Sequence, residues 1–178
     1  MRVWFEQAAN YAAHNQPPAV LLDRALGRCH SSPPAPASSP IACWDVLYKP
    51  AAHVAVFALP SGSCIPLHDH PGMSVFSKLL QGSLQVHSAD SGGSCQLQQS
   101  SHSSGDMWHL TPNSGNLHAF VNLGHDSEPC VVLEVLTPPY SAQGPCTYYA
   151  MDAEGGGGGL RKLPSHPSFL NMVNLTRT

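Results

Sequence analysis

Two histidines separated by one residue, His68 and His70 in the run IPLHDHPGM (residues 65–73), are the positions in this chain best suited to chemistry. Residues two apart on an extended strand point to one face, so the pair can present both imidazoles to a shared point. Neutral imidazole keeps a lone pair near physiological pH, which makes it the commonest metal-binding side chain. The pair is entered from an apolar run at residues 54–59 and left through Pro71-Gly72, a strand that ends in a turn. Two surface histidines beside a turn would give the same three letters, so the reading needs support from elsewhere in the chain.

Composition narrows the setting. Charged residues make up 11% of the 178 residues, yet 11 of the residues are histidine; about a quarter charged is usual. A net charge of -3 with only 8 Lys+Arg offers no electrostatic footprint for nucleic acid or an anionic membrane, and neither is expected as a partner. No apolar run approaches a membrane span, and the amino terminus lacks the apolar core of a secretory signal. The six cysteines (Cys29, Cys43, Cys64, Cys95, Cys130 and Cys146) form no C-x-x-C. They read as free thiols of a reducing compartment, cytoplasm or nucleus. The length suits one cored domain, expected to be a monomer.

The elements that must position the pair are β-strands. Residues 2–14 and 20–27 carry apolar residues at near-helical spacing and predict two short N-terminal helices. The Pro/Ser-rich stretch 31–40 holds neither helix nor ladder strand and reads as a linker. This divides the chain into an N-terminal segment with its linker (1–40), one domain (41–154, its core beginning near Trp44), and a Gly-rich run with a short tail (155–178). Strands are predicted at 53–59, 63–68, 73–80, 83–88, 106–111, 117–123, 130–137 and 146–151, rich in Val, Leu, Phe, Tyr or Cys. Short strands with no helical segments between them favour a sandwich or barrel. Gln81-Gly82 stands where a hairpin turn belongs, and the Ser/Gly/Gln-rich stretch 88–104 reads as a solvated loop.

The spacing around the pair says more than the pair itself. Gly62, five residues, His68, one residue, His70 and a strand closing at Gly82 resemble the first motif of the cupin family. Residues 112–122 (PNSGNLHAFVN) resemble its second motif, with one extra residue between Pro112 and Gly115. The resemblance implies an all-β fold, the cupin double-stranded β-helix. This is a jelly-roll-like barrel whose two motifs lie on neighbouring strands and whose three histidines meet at a metal. The ligands it implies are His68, His70 and His118. Many cupins add a glutamate ligand four residues beyond the second histidine, or close to it. Here those positions hold Ser74 and Val75, which offer no carboxylate. Three neutral imidazoles would leave positions on the ion open, and open positions mark catalytic rather than structural sites. The ion's uncompensated charge favours an anionic ligand such as a thiolate, which loses its proton on binding. Such ligation suits iron; spacing alone leaves zinc, nickel, copper and manganese open.

Longer strings point to one branch. IPLHDHPGM (65–73), SKLL-x-GSL (77–84), GNLH (115–118), VL-x-PPY (135–140) and CTYY (146–149) look like the cysteamine dioxygenase and plant cysteine oxidase family, in the same order over about residues 53–151. The first forty residues, the serine-rich stretch and the tail do not share the likeness. The resemblance implies a non-haem Fe(II) thiol dioxygenase with O₂ as co-substrate. Its substrates would be cysteamine or proteins that begin with cysteine, oxidised to the sulfinic acid that marks a protein for degradation in oxygen sensing. It also carries over four residues. Tyr140 matches a tyrosine near the substrate, and Cys146 and Tyr148 match a C-x-Y pair that forms a thioether in some animal members. Glu134 falls where relatives have an aspartate important for activity, and its carboxylate stands one methylene further out. His87, His102 and His109 are read as bystanders, His109 as a core histidine.

Two rival readings use the same residues. One is a non-catalytic cupin that binds a metal or small molecule, with Glu134 as its sign of lost activity. The other is a cupin enzyme of different chemistry, which would be expected to use the missing glutamate ligand. Free cysteine is a poor candidate substrate, because no arginine lies near the proposed ligands to fork onto its carboxylate. Arg161 and Lys162 follow the Gly155–Gly159 run and read as loosely held.

Overall fold

The structure, a computed structural model, describes residues 41–90, 97–123, 129–151, 160–163 and 172–174. The expected N-terminal helices and the Gly155–Gly159 run lie outside the described residues. Twelve strands and one helical turn make up the elements in that set. The larger sheet is built from β1 (Ile41–Lys49), β2 (Ala52–Leu59), β4 (Ser74–Gln81), β7 (Met107–Leu110), β9 (Cys130–Thr137) and β12 (Met172–Asn174). Their order is β12-β1-β2-β9-β4-β7, antiparallel except for the β1–β12 pair. The smaller sheet contains β3 (Cys64–Asp69), β5 (Ser83–Ala89), β6 (Gln98–Ser103) and β8 (Leu117–Val121), in the order β3-β8-β5-β6. A two-stranded ribbon, β10 (Tyr149–Met151) with β11 (Leu160–Lys162), completes the set. No helix among the described residues is long and apolar enough to cross a membrane.

Strand alternation builds the core between the two sheets. Leu59, Leu79 and Val132 of the larger sheet meet Ile65, Leu84, Val86 and Phe120 of the smaller one. Each fully buried side chain of this size is worth about 1.5–3 kcal/mol. β9, central in the larger sheet, is buried on both faces over nearly its whole length, so it reads as a continuous apolar run interrupted only by Glu134. The all-β, jelly-roll-like double-stranded β-helix expected from the motifs is the architecture observed.

Several boundaries differ from the sequence expectations for physical reasons. Gln81-Gly82 is not a hairpin: β4 pairs with β7 and β9, whereas β5 pairs with β6 and β8. Gly82, at φ 86°, is the corner where the chain crosses from one sheet to the other. A Cβ there would stand 3.2 Å from the Cys130 Cα and 3.3 Å from the Pro129 carbonyl oxygen, so only glycine fits. The predicted loop at 88–104 contains β6, whose residues are mostly exposed. Its backbone pairs along β5 from Ser83↔Ser103 to Ser88↔Gln98, a ladder that serine and glutamine side chains do not advertise. Of the strand predicted at 146–151, only 149–151 is regular, while β1 begins at Ile41, before Trp44. β11 and β12 had no periodic signal.

Candidate metal centre

Register brings the three histidines together. β3 and β8 pair with His68 directly opposite His118. His70 continues the pairing one step past β3 by donating its N–H to the Asn116 carbonyl at 3.0 Å. The chain then turns: the Met73 N–H returns to the His70 carbonyl at 3.1 Å, with Pro71 and Gly72 (φ 66°) in the two central positions that suit them. The second motif's asparagine is a clamp rather than a ligand, since Asn122 donates its side-chain amide to the Leu59 carbonyl at 3.0 Å. Its backbone also exchanges hydrogen bonds with Gly62 and Ser63 across the turn before β3.

The result is a buried group of His68, His70 and His118 whose ligand atoms all lie within 4.8 Å of one another. Burial holds all three below the ordinary imidazole pKa, His70 and His118 well below, with the neighbouring histidines adding to the effect at those two. They are therefore neutral lone-pair donors. Second partners orient two of them. The His68 Nδ1–H donates to the Pro66 carbonyl at 2.8 Å, and His70 Nδ1 lies 2.9 Å from the Tyr140 hydroxyl. Tyr140 spends its own proton on the Asp69 carbonyl at 2.7 Å. Its oxygen therefore accepts from His70 Nδ1–H and leaves Nε2 bare. Phe120 backs the His118 ring at a centroid distance of 4.5 Å.

These donors fit a metal ion. His70 Nε2 and His118 Nε2 are 2.9 Å apart. Two imidazole nitrogens about 2.05 Å from one ion and at right angles to each other would stand about 2.9 Å apart. His118 Nδ1 is buried without a partner, so no hydrogen bond there competes for the choice of tautomer. Among the described residues, no carboxylate oxygen lies within 4.8 Å of all three ligand atoms.

The remaining residues of interest surround this face. Glu134, 3% exposed, projects from the inner face of β9 with Oε1 3.8 Å from His118 Nε2. The cross-strand neighbour Ser77 donates its hydroxyl to Oε1 at 2.9 Å. Burial raises the carboxyl to about 7, against a smaller lowering by that hydrogen bond. Tyr140 opens α1 (Tyr140–Gln143), a single turn, and packs on Met73, Val75, Leu110 and Leu136. The Cys146 thiol is hydrogen-bonded to both Tyr140 and Tyr148, and burial pushes it up to about 11. Tyr148 bridges to His68 across the free edge of β3, with ring centroids 5.8 Å apart. Burial likewise raises both tyrosine hydroxyls above their ordinary range.

The structure thus gathers His68, His70, His118, Glu134, Tyr140, Cys146 and Tyr148 in one place. It leaves His87, His102 and His109 outside the histidine group. His109 is not a core histidine: it is exposed and lies flat on Phe76, centroids 4.2 Å apart at 3°. Arg161 and Lys162 are held on β11, both exposed. Sequence reasoning passed over Ser77 and Asp69. Ser77 could have been found from its place on a strand whose alternate residues Val75, Ser77 and Leu79 are all buried.

Comparison with known proteins matches residues 14–155 to the model of the PCO_ADO family. The chain belongs to that family. It is 34% identical over 130 residues to the "Probable 2-aminoethanethiol dioxygenase" of Dictyostelium discoideum, covering 65% of this chain and 58% of that protein. It is 35% identical over 111 residues to plant cysteine oxidase 1 of Arabidopsis thaliana, covering 54% of this chain and 36% of that protein. The chain thus spans less than two thirds of either relative's length. Among solved structures, an uncharacterized conserved protein with a double-stranded beta-helix domain from Klebsiella pneumoniae superposes with a TM-score of 0.48 at 18% identity. That superposition covers 74% of this chain and 90% of that one.

Proposed function

We propose that this protein is a non-haem Fe(II) thiol dioxygenase that oxidises the amino-terminal cysteine of proteins, or cysteamine, to the sulfinic acid in an oxygen-sensing role. The observation that carries the reading is the buried three-histidine face, which no carboxylate among the described residues joins as a ligand. The names of the PCO_ADO relatives support it. Iron held by His68, His70 and His118 would supply the redox chemistry that joins O₂ to sulfur. Both oxygen atoms end on sulfur, which furnishes every electron O₂ needs, so no separate reductant is required.

The chain's own groups have defined tasks in this scheme. Tyr140 holds His70 in the tautomer that exposes Nε2. Glu134, with a carboxyl raised to about 7, is able to receive a proton near neutrality. Ser77 engages one lone pair of Oε1 and leaves the carboxylate's remaining lone pairs to take the thiol's proton. Cys146 and Tyr148 wall the face on the β3 side. Substrate choice follows from charge. Arg161, the one arginine among the described residues, is exposed on β11, and the groups gathered at the histidine face include no guanidinium to fork onto the carboxylate of free cysteine. A peptide has an amide at that position and loses nothing.

The test offers an equimolar mixture of a Cys-initiated peptide, cysteamine and free cysteine to the Fe(II)-loaded protein in air. Mass spectrometry should find two added oxygen atoms first on the peptide's terminal cysteine. His68→Ala, His70→Ala and His118→Ala should each lose most bound iron, while His109→Ala retains it. Normal iron content in His118→Ala, or no oxygen uptake with any thiol, would overturn the reading.

A further inference from the structure

The middle residue of the histidine pair faces away from the metal group. Alternation along β3 sends Leu67 and Asp69 to the outer side of the smaller sheet, where Leu67 packs with Leu117, Ala89, Tyr149 and Leu160. There Asp69 makes four hydrogen bonds to two separate segments. Its Oδ1 accepts from the Thr147 N–H at 2.7 Å and its Oδ2 from the Tyr149 hydroxyl at 2.9 Å. Its backbone N–H donates to the Thr147 carbonyl at 3.0 Å. Its carbonyl accepts from Tyr140 at 2.7 Å.

β3 is an edge strand of its sheet, so the 147–149 segment reaches it by its own backbone and by this carboxylate. The segment is short, and only Tyr149 of its residues belongs to a strand. Pairing alone is therefore a weak hold, whereas hydrogen bonds to an ionised acceptor are roughly twice as strong as neutral ones. Alternation does the rest. With Thr147 gripped on the outer side, Tyr148 must turn inward against His68, and Cys146 is delivered between Tyr148 and Tyr140.

We propose that Asp69 is a positioning residue: from the back of the sheet it latches the 146–149 segment and so sets the Cys146 thiol and the Tyr148 ring over the histidine face. It touches neither the metal group nor the substrate through its side chain. Its consequence for thiol binding rests on the dioxygenase reading above, but the latch itself does not.

The test compares wild type with Asp69→Asn, Asp69→Ala and Tyr149→Phe in the full chain, and reads metal content, amide exchange, thiol reactivity and kinetics. Asp69→Asn keeps an acceptor for the Thr147 N–H, and Tyr149→Phe removes a single rim hydroxyl, so these two stay informative should Asp69→Ala fold poorly. In Asp69→Ala, Fe(II) should bind as in wild type, unlike His68→Ala. Amide exchange over residues 145–149 and alkylation of Cys146 should both accelerate, by about the 10–100-fold of a lost orienting partner. KM for a Cys-initiated peptide should rise more than kcat falls, and Asp69→Asn should recover most of each change. Unchanged exchange and alkylation in all three variants would overturn the latch, as would iron loss matching His68→Ala, which would place Asp69 among the supports of the ligands. Should wild type oxidise no thiol, exchange and alkylation still decide the matter, so failure of the latch and failure of the dioxygenase reading are told apart.

Discussion

Glu134 is a carboxyl group in the middle of an apolar strand, and burial of an ionisable side chain there costs stability unless hydrogen bonds or pairing offset it. Its partner is one serine hydroxyl, and its reach toward His118 stops at 3.8 Å. That distance defines a neighbour of the ligands rather than one of them. Glu134→Ala should lower turnover about 10–100-fold, the usual loss for a group behind the ligands, with iron retained. Glu134→Asp should hold or raise turnover, because it keeps the carboxylate and supplies the shorter aspartate arm that the sequence resemblance implies there. Ser77→Ala should act in the same direction as Glu134→Ala but more weakly, since it frees the carboxylate without removing it. Steady-state kinetics beside iron analysis checks all three; equal activity throughout would make Glu134 a bystander.

The paired strands β2, β3, β4, β5, β7, β8 and β9 were legible because each couples an apolar alternation or run to a Gly, Pro or Ser boundary. β6 was not legible, because its Gln-Gln-Ser-Ser-His-Ser residues earn their place through backbone pairing with β5, which leaves no pattern in side-chain type. The three histidines were readable because their motif spacing resembles that of cupins, and Glu134, Tyr140, Cys146 and Tyr148 through the resemblance of longer strings, but Ser77 and Asp69 acquire roles only through cross-strand register, which no local pattern states. Gly82 shows the same limit: the letter announced a turn, and only the topology shows it to be a corner between sheets. Gly82→Ala forces a positive φ on a residue with a Cβ and drives that atom toward the Cys130 backbone. The expected loss is about 1–3 kcal/mol, read as a lower denaturant midpoint with unchanged slope.

For the molecule as a whole, the metal group makes stability depend on pH in a predictable direction. The three buried imidazoles sit below the ordinary value of 6.5, so the unfolded chain of the metal-free protein binds more protons than the folded one as the pH falls through 6.5. Their contribution is present above that pH and lost below it. Glu134 works the other way: raised from 4.5 to about 7, it favours the folded state below 4.5 and loses that contribution as the pH rises to 7. Three protons oppose one, so metal-free protein should lose stability from pH 6.5 toward 5, at up to about 1.4 kcal/mol per pH unit for each net proton. Glu134→Gln should steepen the loss; a flat profile in urea titrations across that range would contradict the assignment. The placement of these groups has a mechanical side as well. His68, His70 and His118 ride on the smaller sheet, while Glu134 and Ser77 ride on the larger one facing it. The molecule is a vice with one jaw that would grip an ion and a facing jaw that carries the acid. Anything that slides one jaw against the other changes the 3.8 Å gap from Glu134 to His118 without loosening the grip, so reactivity and metal affinity can be adjusted on separate halves of the same barrel.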